Sequence, residues 1–442
     1  MNLEPPPKVR KLQEALHAKA KRSPNYRFYL LYDKIWRPDV LAFAWIRCRA
    51  NHGVPGVDGQ TFDHIETYGI EKWLGELAQE LRTRQYRPQP VCRVYIPKPD
   101  GGQRPLGIPT IKDRVVQTAA MLVLEPIFEA DLQPEQYAYR PARGALDAVK
   151  VVRKMLAEGH TQVVDADLTG YFDSIPHRDL MKSVARRVSD RHMLHLVKMW
   201  LKAPIHDRKN GEDPKNRSGD APDEPRGTPQ GAPLSPLLSN LYMRRFLLAW
   251  KQWGYEAGLD AHVVNYADDF VICCRGTAKQ AMAAMRQIMD RLKLTVNETK
   301  TRLRHVPDES FDFLGYTFGC CYSFKTGRPY LGMRPSKKRM QRFCRSINDA
   351  LSRKTTYREV EASIRLLNQK LKGWANYYCL GAVDRAYRVV DCHAADRLRR
   401  WLRAKHGWTA AVGSRVPALY LYETLGLVEL QKQRRIVSWA TA

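Results

Sequence analysis

Two stretches of this 442-residue chain set acids among apolar residues in a pattern that can do chemistry. In His262-Val263-Val264-Asn265-Tyr266-Ala267-Asp268-Asp269-Phe270-Val271-Ile272-Cys273, adjacent carboxylates interrupt two β-branched runs. Two strands joined by a tight turn would carry both acids at the tip. In Gln162-Val163-Val164-Asp165-Ala166-Asp167, strand periodicity puts Asp165 and Asp167 on one face, with Val164 and Ala166 on the other. Carboxylates are costly to bury unpaired, so cations are expected beside them. If the two segments lie side by side, three carboxylates can surround a pair of Mg²⁺ ions roughly 3.5–4 Å apart. Such a pair activates a 3′-hydroxyl and stabilises a leaving pyrophosphate. Plainer readings stand beside this one: a polar turn for Asp268-Asp269, a helix cap for Asp167, and a salt bridge or strand-end hydrogen bond for Asp165.

The elements that must position these acids follow from periodicity. Residues 1–50 read as amphipathic helices with a basic side, and Asn51 to Gly59 as an ordered turn or loop. Helical patterns cover Ile65 to Arg84, Ile111 to Phe128, Ala145 to Ala157, Arg178 to Arg187, Asp190 to Leu201, Leu234 to Trp250 and Lys279 to Leu292. Strand patterns cover Val91 to Ile96, running into a hairpin turn at Pro97 to Gly102, then Gln162 to Ala166, His262 to Cys274 with its turn, and Phe311 to Phe318. The polar stretch from His206 to Arg226 has almost no core residues and reads as an exposed hairpin or insertion.

The chain carries 73 Lys and Arg against 46 Asp and Glu, a formal charge of +27, and 44% hydrophobic residues. That excludes general disorder and points to a polyanionic partner, nucleic acid before an anionic membrane. Residues 331–442 hold 23 Lys/Arg and 8 Asp/Glu, a net +15, which marks a basic helical module beginning near Pro335. Nine cysteines without a Cys-x-x-Cys pair read as reduced thiols, not a zinc ribbon. No apolar run is long enough to span a membrane, so a cytoplasmic protein, nucleoid-associated when it engages DNA, is the expectation.

Tyr266-Ala267-Asp268-Asp269, with Asp167 and Phe172, resembles the catalytic core of reverse transcriptases, and the longer pattern resembles those encoded by bacterial group II introns. The resemblance runs along nearly the whole chain. It includes Asn51 to Gly59, Arg104-Pro105-Leu106-Gly107-Ile108-Pro109, Tyr139-Arg140-Pro141, Gly227 to Pro236, Phe313-Leu314-Gly315 and Gly373-Trp374-Ala375-Asn376-Tyr377-Tyr378.

The resemblance implies an α+β right-hand polymerase. Residues 1–39 would be an N-terminal helical extension, 40–160 fingers, 161–335 an antiparallel-sheet palm with the insertion near 206–226, and 336–442 a basic α-helical thumb and maturase domain. Asp167 and Asp268 would be the principal Mg²⁺ ligands and Asp269 a third acid, with Mn²⁺ able to substitute. Phe172 would be the ring that excludes a ribose 2′-hydroxyl, unless it is only a core aromatic. Lys98 and Arg104 would meet the triphosphate, Gln230 would support the incoming nucleotide, and Lys300 is a further substrate-binding candidate. Arg140, Arg143, Lys337, Lys338, Arg339 and Arg400 are the nucleic-acid-binding candidates, whereas Trp374, Tyr377 and Tyr378 are expected in a helical core before any role in base stacking.

The implied partners are group II intron RNA, an RNA template with DNA primer, a DNA target and dNTPs, in cDNA synthesis, splicing assistance and retrohoming. The chain closes at Ala442 without the Cys and His arrangement of an HNH nuclease, so a form lacking that domain is expected. A free-standing reverse transcriptase in repair or phage defence, and a noncatalytic splicing chaperone, remain as alternatives.

Overall fold

The computed structural model describes residues 3–97, 101–207, 225–323, 326–408 and 416–434. It is a mixed α+β fold in which helices surround three small sheets. The strands are β1 Val91–Pro97, β2 Gln103–Ile108, β3 Gln162–Asp167, β4 Ile205–Asp207, β5 Ala261–Tyr266, β6 Asp269–Cys274, β7 Arg302–His305, β8 Phe311–Phe313, β9 Tyr316–Tyr322 and β10 Pro329–Pro335.

The central sheet has the order β5-β6-β3-β7, and every neighbouring pair is antiparallel. Alternation divides its residues between two cores. Val164, Ala166, Val263, Phe270 and Ile272 belong to a large cluster shared with the N-terminal half, whereas Val163, Val264, Val271 and Cys273 join a second cluster built with the C-terminal helices. Asp165, Asp167 and Asp269 have the parity of the second set, so all three acids share the sheet face that looks toward the C-terminal helices.

The helix Ile111–Glu129 is buried along most of its surface and forms the hub of the first core. Thr110 caps it, its hydroxyl accepting from the Asp113 amide at 3.1 Å. Pro126 inside this helix cannot donate to the Leu122 carbonyl, and Gln13 from the helix Pro7–Arg22 supplies the missing donor at 3.1 Å. Arg187 is wholly buried, pairs with Asp131 at 3.1 Å and donates to the carbonyls of Ala20, Ser23, Pro24 and Tyr26. One guanidinium thus ties the N-terminal helix to the rest of the molecule.

Several elements differ from their expected form. The helix expected over Ile65 to Arg84 is two, Phe62–Tyr68 and Ile70–Arg82, because Gly69 at φ 105° breaks it. The single strand expected over Phe311 to Phe318 is a hairpin, with Leu314 and Gly315 forming the loop at φ 50° and 87°. Strand β10 pairs with β9 along its full length and ends at Pro335, after which Ser336 caps the helix Lys337–Ala350. The module boundary expected near Pro335 therefore falls at a strand-to-helix junction. β4 pairs in parallel with β1, while most of the expected insertion, residues 208–224, lies outside the described residues.

Candidate catalytic centre and metal-ligand cluster

The register of the central sheet places Asp167 directly opposite Asp269, and Tyr266 opposite Asp269 across the hairpin. Ala267 and Asp268 are therefore the two-residue loop, with Ala267 at φ 59°. A left-handed alanine costs roughly 1–2 kcal/mol, and its surroundings hold it there. Buried Asn265 donates from Nδ2 to the Ala267 carbonyl at 2.8 Å. The Asn265 backbone is itself gripped by the Glu135 carbonyl at 2.9 Å and the Tyr137 amide at 3.0 Å. The bond between Asn265 and the loop is local, but the grip on Asn265 comes from a segment about 130 residues away, which fixes where the Asp268 backbone sits.

The acids crowd one another. Desolvation first, then the like charges of Asp268 and Asp167, push the Asp269 carboxyl up to about 6, against Arg339 and Lys300. Burial followed by Asp269 raises Asp165 to about 7, and Arg304 opposes the rise. Arg304 itself is bonded to Glu309 at 3.1 Å. Asp167 is met by the Lys300 ammonium at 3.2 Å and by Asn297 Nδ2 at 3.1 Å, both on the Oδ2 atom. Oxygen donors short of countercharge suit a hard divalent cation, so this donor set fits Mg²⁺.

Asn297 escaped the sequence reading although Lys300 did not. Its Oδ1 accepts from the Thr299 amide at 3.2 Å, the Thr299 hydroxyl at 2.8 Å and the Lys300 amide at 3.3 Å, and its own amide donates to the Asp167 carbonyl at 2.8 Å. The signal was present in Asn297-Glu298-Thr299-Lys300, a side-chain-closed turn that aims both polar heads at Asp167.

The remaining nucleotide-contact candidates gather around the segment Gly227 to Gly231. Its Thr228 amide donates to the Phe172 carbonyl at 2.8 Å, and its Gln230 carbonyl accepts from the Gly107 amide at 2.6 Å. Gly231, at φ 107°, lies so close to the Gly107 carbonyl that a Cβ would sit 2.8 Å from it. Phe172, Gln230 and the β2 strand that carries Arg104 are thus joined through one turn. The strand containing Asp167 does not persist to Phe172: Gly170 at φ 55° starts a short helix, Tyr171–Ser174. Tyr171 turns inward and donates to the Ser239 carbonyl at 2.6 Å, while Phe172 is 7% exposed. Arg104 is exposed opposite Ile96. Burial, then the charges of Asp268 and Tyr266, raise the Tyr139 hydroxyl, and Arg104 pulls it back. Lys98 lies outside the described residues.

Among the basic candidates, Arg140 departs from expectation. Its guanidinium is 5% exposed, forks onto Glu129 at 2.6 and 3.0 Å and donates to the carbonyls of Gln133 and Gln136. These bonds occupy four of its five N–H donors, so it braces a loop and is turned away from solvent. Arg143 donates to the Pro134 carbonyl at 2.5 Å and lies over the Tyr137 ring. Lys337, Lys338 and Arg339 are exposed in the first turn after β10, and Arg400 is exposed on the helix Asp384–His406. Arg339 also reaches the acids, where it opposes the rise at Asp269.

Trp374 and Tyr378 are buried, as expected, in a ring cluster with Phe343 and Tyr387. Tyr377 donates to the Leu314 carbonyl at 2.8 Å, so this aromatic segment holds the β8–β9 turn.

A second group of ligands escaped the sequence reading altogether. His160, Asp260 and His262 bring one ligand atom each within 4.8 Å of one another, an arrangement able to hold a divalent metal ion. They lie at the opposite end of β3 and β5 from Asp167 and Asp268.

Comparison with known proteins agrees with this arrangement. Residues 96–318 match the family model for reverse transcriptase (RNA-dependent DNA polymerase), and residues 340–416 match that for the group II intron maturase-specific domain. Protein YkfC of Escherichia coli is 33% identical over 350 residues, covering 70% of this chain and 87% of YkfC. The group II intron-encoded protein LtrA of Lactococcus lactis is 28% identical over 351 residues, covering 65% of this chain. A putative COX1/OXI3 intron 1 protein of Saccharomyces cerevisiae is 26% identical over 395 residues, covering 77% of it. The chain spans 56% of LtrA and 44% of the yeast protein. With the polymerase model covering about half of the chain and the maturase model following it, the chain belongs to the group II intron-encoded reverse transcriptases, RNA-directed DNA polymerases joined to a domain that assists intron splicing.

Proposed function

We propose that this protein copies RNA into cDNA at the Asp167, Asp268 and Asp269 centre, in a hand whose fingers are residues 40–160, palm 161–335 and thumb 336–442. The observation that carries the reading is the pairing of Asp167 with Asp269 across β3 and β6, with Asp268 in the adjoining two-residue loop. Bound here by these acids, two Mg²⁺ ions would supply Lewis-acid activation of the primer 3′-hydroxyl and charge neutralisation of the leaving pyrophosphate.

The chain's own groups do the rest. Asp167 and Asp268 would hold the ions, and Asp269, whose proton affinity is raised by desolvation and then by both neighbours, would join them when deprotonated. Lys300 offsets the charge of Asp167 at 3.2 Å and, 58% exposed, would be placed to meet substrate phosphate as well. Arg104 and Lys98 meet the triphosphate, one as a rigid fork and one as a mobile charge. Gln230, in a turn whose backbone lies against Gly107, supports the incoming base pair without reading it. Phe172 would lie beneath C2′ of the sugar and exclude a 2′-hydroxyl by volume. Lys337, Lys338, Arg339 and Arg400 hold the template–primer duplex and intron RNA, Arg339 from a position beside Asp269.

Splicing assistance and retrohoming follow from the same two surfaces, one binding intron RNA and one extending a primer on the DNA target. The test is RNA-templated primer extension with Mg²⁺. Asp268→Asn is expected to lower extension by at least about 100-fold while leaving RNA binding intact. Extension by the variant at the parental rate rejects the centre, and RNA binding with splicing enhancement but no parental extension favours a noncatalytic chaperone.

A further inference from the structure

The cluster of His160, Asp260 and His262 is built from the ends of three segments. His160 follows the helix Ala145–Ala157 and precedes β3, while Asp260 and His262 flank the first residue of β5. Gln162 and Ala261 both pair with Cys274 of β6, so all three ligands converge around one corner of the central sheet. β3 rises about 3.3 Å per residue, and its five steps from Gln162 to Asp167 put this corner well over ~15 Å from the polymerase acids.

The hydrogen-bond geometry there does not close with protons alone. Asp260 Oδ1 is approached by His160 Nε2 at 3.0 Å and by His262 Nε2 at 3.3 Å. The other nitrogen of each ring also faces an acceptor: His160 Nδ1 lies 3.3 Å from the Met155 carbonyl and His262 Nδ1 3.4 Å from Glu256 Oε1. Each imidazole would need both protons, hence a positive charge, to satisfy both contacts. Two imidazoliums with ring centroids 4.9 Å apart, together with Arg275, whose Nε is 3.7 Å from Asp260 Oδ2, would then put three positive charges on two carboxylates, Asp260 and Glu256, with His160 reaching only the first. Like charges at that spacing oppose each other, and His160 is nearly buried, where solvent screens least.

One metal ion resolves the conflict. Bound by the two Nε2 atoms and Oδ1, it leaves both rings neutral, with each Nδ1–H donating to the carbonyl or carboxylate already in place. That outer pairing is the usual support of a metal-bound histidine. The spacing also fits. Bonds of 2.0–2.1 Å in a tetrahedron place ligand atoms about 3.3 Å apart, close to the 3.0 and 3.3 Å observed. Two nitrogens and one oxygen suit Zn²⁺ over Mg²⁺, which prefers oxygen throughout.

We propose that His160, Asp260 and His262 bind one Zn²⁺ ion, separate from the polymerase ions, that clamps the starts of β3 and β5 at the base of the central sheet. The full-length protein, stripped with chelator, is titrated with Zn²⁺ by calorimetry and with Co²⁺ by absorption spectroscopy. One ion per chain is expected, with a tetrahedral cobalt spectrum lacking thiolate charge transfer and a rise in melting temperature on adding Zn²⁺. His262→Ala and Asp260→Asn should each weaken Zn²⁺ binding by at least about tenfold and abolish the thermal shift, while Mg²⁺-dependent primer extension stays at the parental level. Zn²⁺ binding unchanged in both variants, a thiolate band, one-for-one displacement by Mg²⁺, or no stoichiometric binding would each overturn the assignment. Circular dichroism of Asp260→Asn, which conserves shape, separates lost binding from lost fold.

Discussion

The chemistry of the centre depends on three carboxylates that cannot all be comfortably ionised without a cation. Because the Asp269 pKa is raised to about 6, protons and metal compete for the same oxygens below that pH. Primer extension should fall as pH drops through about 6, and higher Mg²⁺ should move the midpoint to lower pH; a midpoint indifferent to Mg²⁺ would remove Asp269 from the ion-binding set. Phe172 invites a second substitution. Phe172→Val should raise rNTP incorporation relative to dNTP by roughly 10–100-fold, at a cost of about 1–3 kcal/mol because the ring is nearly buried. Unchanged selectivity in a folded variant would leave it a core residue. The principal acids were legible because strand periodicity and an Asp-Asp turn are local signals. Asn297 and the His160 cluster were less so: ligands 100 residues apart, such as His160 and Asp260, carry no local pattern and meet only when β3 and β5 join the same sheet.

At the scale of elements, the strand-to-helix alternation could be read from period and turn chemistry, with helices such as Ala145–Ala157 falling where expected. What misled the reading was a run of aromatics, Phe311 to Phe318, that looks like one strand and is a hairpin. Leu-Gly is a weak turn signal, since leucine rarely takes a positive φ; here the turn is imposed by tertiary contacts. Tyr377 bonds the Leu314 carbonyl, and the Ser336 amide bonds that of Gly315 at 2.9 Å. Gly315→Ala should therefore destabilise by about 1–3 kcal/mol, since a Cβ there would lie 2.6 Å from the Tyr378 hydroxyl. A melting temperature equal to the parent's would show that this turn is not fixed by the aromatic segment.

The helix Asp384–His406 offers a pH test remote from the acids of the centre. Asp391 is 7% exposed and accepts from the amides of Leu430 at 3.1 Å and Gln431 at 3.2 Å, yet burial raises its pKa to about 6. Its folded pKa lies above the unfolded value of about 4, so its contribution to stability is fully present below pH ~4 and is lost as pH rises through about 6. Asp391→Asn, which stays neutral, should gain on the parent by roughly 2–3 kcal/mol between pH 4 and pH 7. A stability difference that stays flat over that range would mean the carboxyl is ionised throughout.

Over the whole molecule, charge is distributed as the proposed division of labour requires. The chain carries +27, of which +15 falls in residues 331–442, while the acids gather at the sheet face that those residues look onto. On the proposed function, a polyanion would be drawn to the C-terminal module and would meet the carboxylates whose charge Arg339 and Lys300 offset. Attraction of this kind is counterion release, so log affinity for RNA should fall linearly with log salt, and each phosphate contact removed should flatten the slope by up to about one. Lys337→Gln combined with Lys338→Gln should reduce the slope by about one to two, whereas Arg140→Gln should leave it unchanged, because that guanidinium is spent on Glu129, Gln133 and Gln136. The contrast separates surface charge that binds from charge that builds. If Arg140→Gln flattened the slope as much as the lysine pair in a protein that still folded, the loop it braces would have to open on RNA, and the inward setting of Arg140 would describe only the free protein.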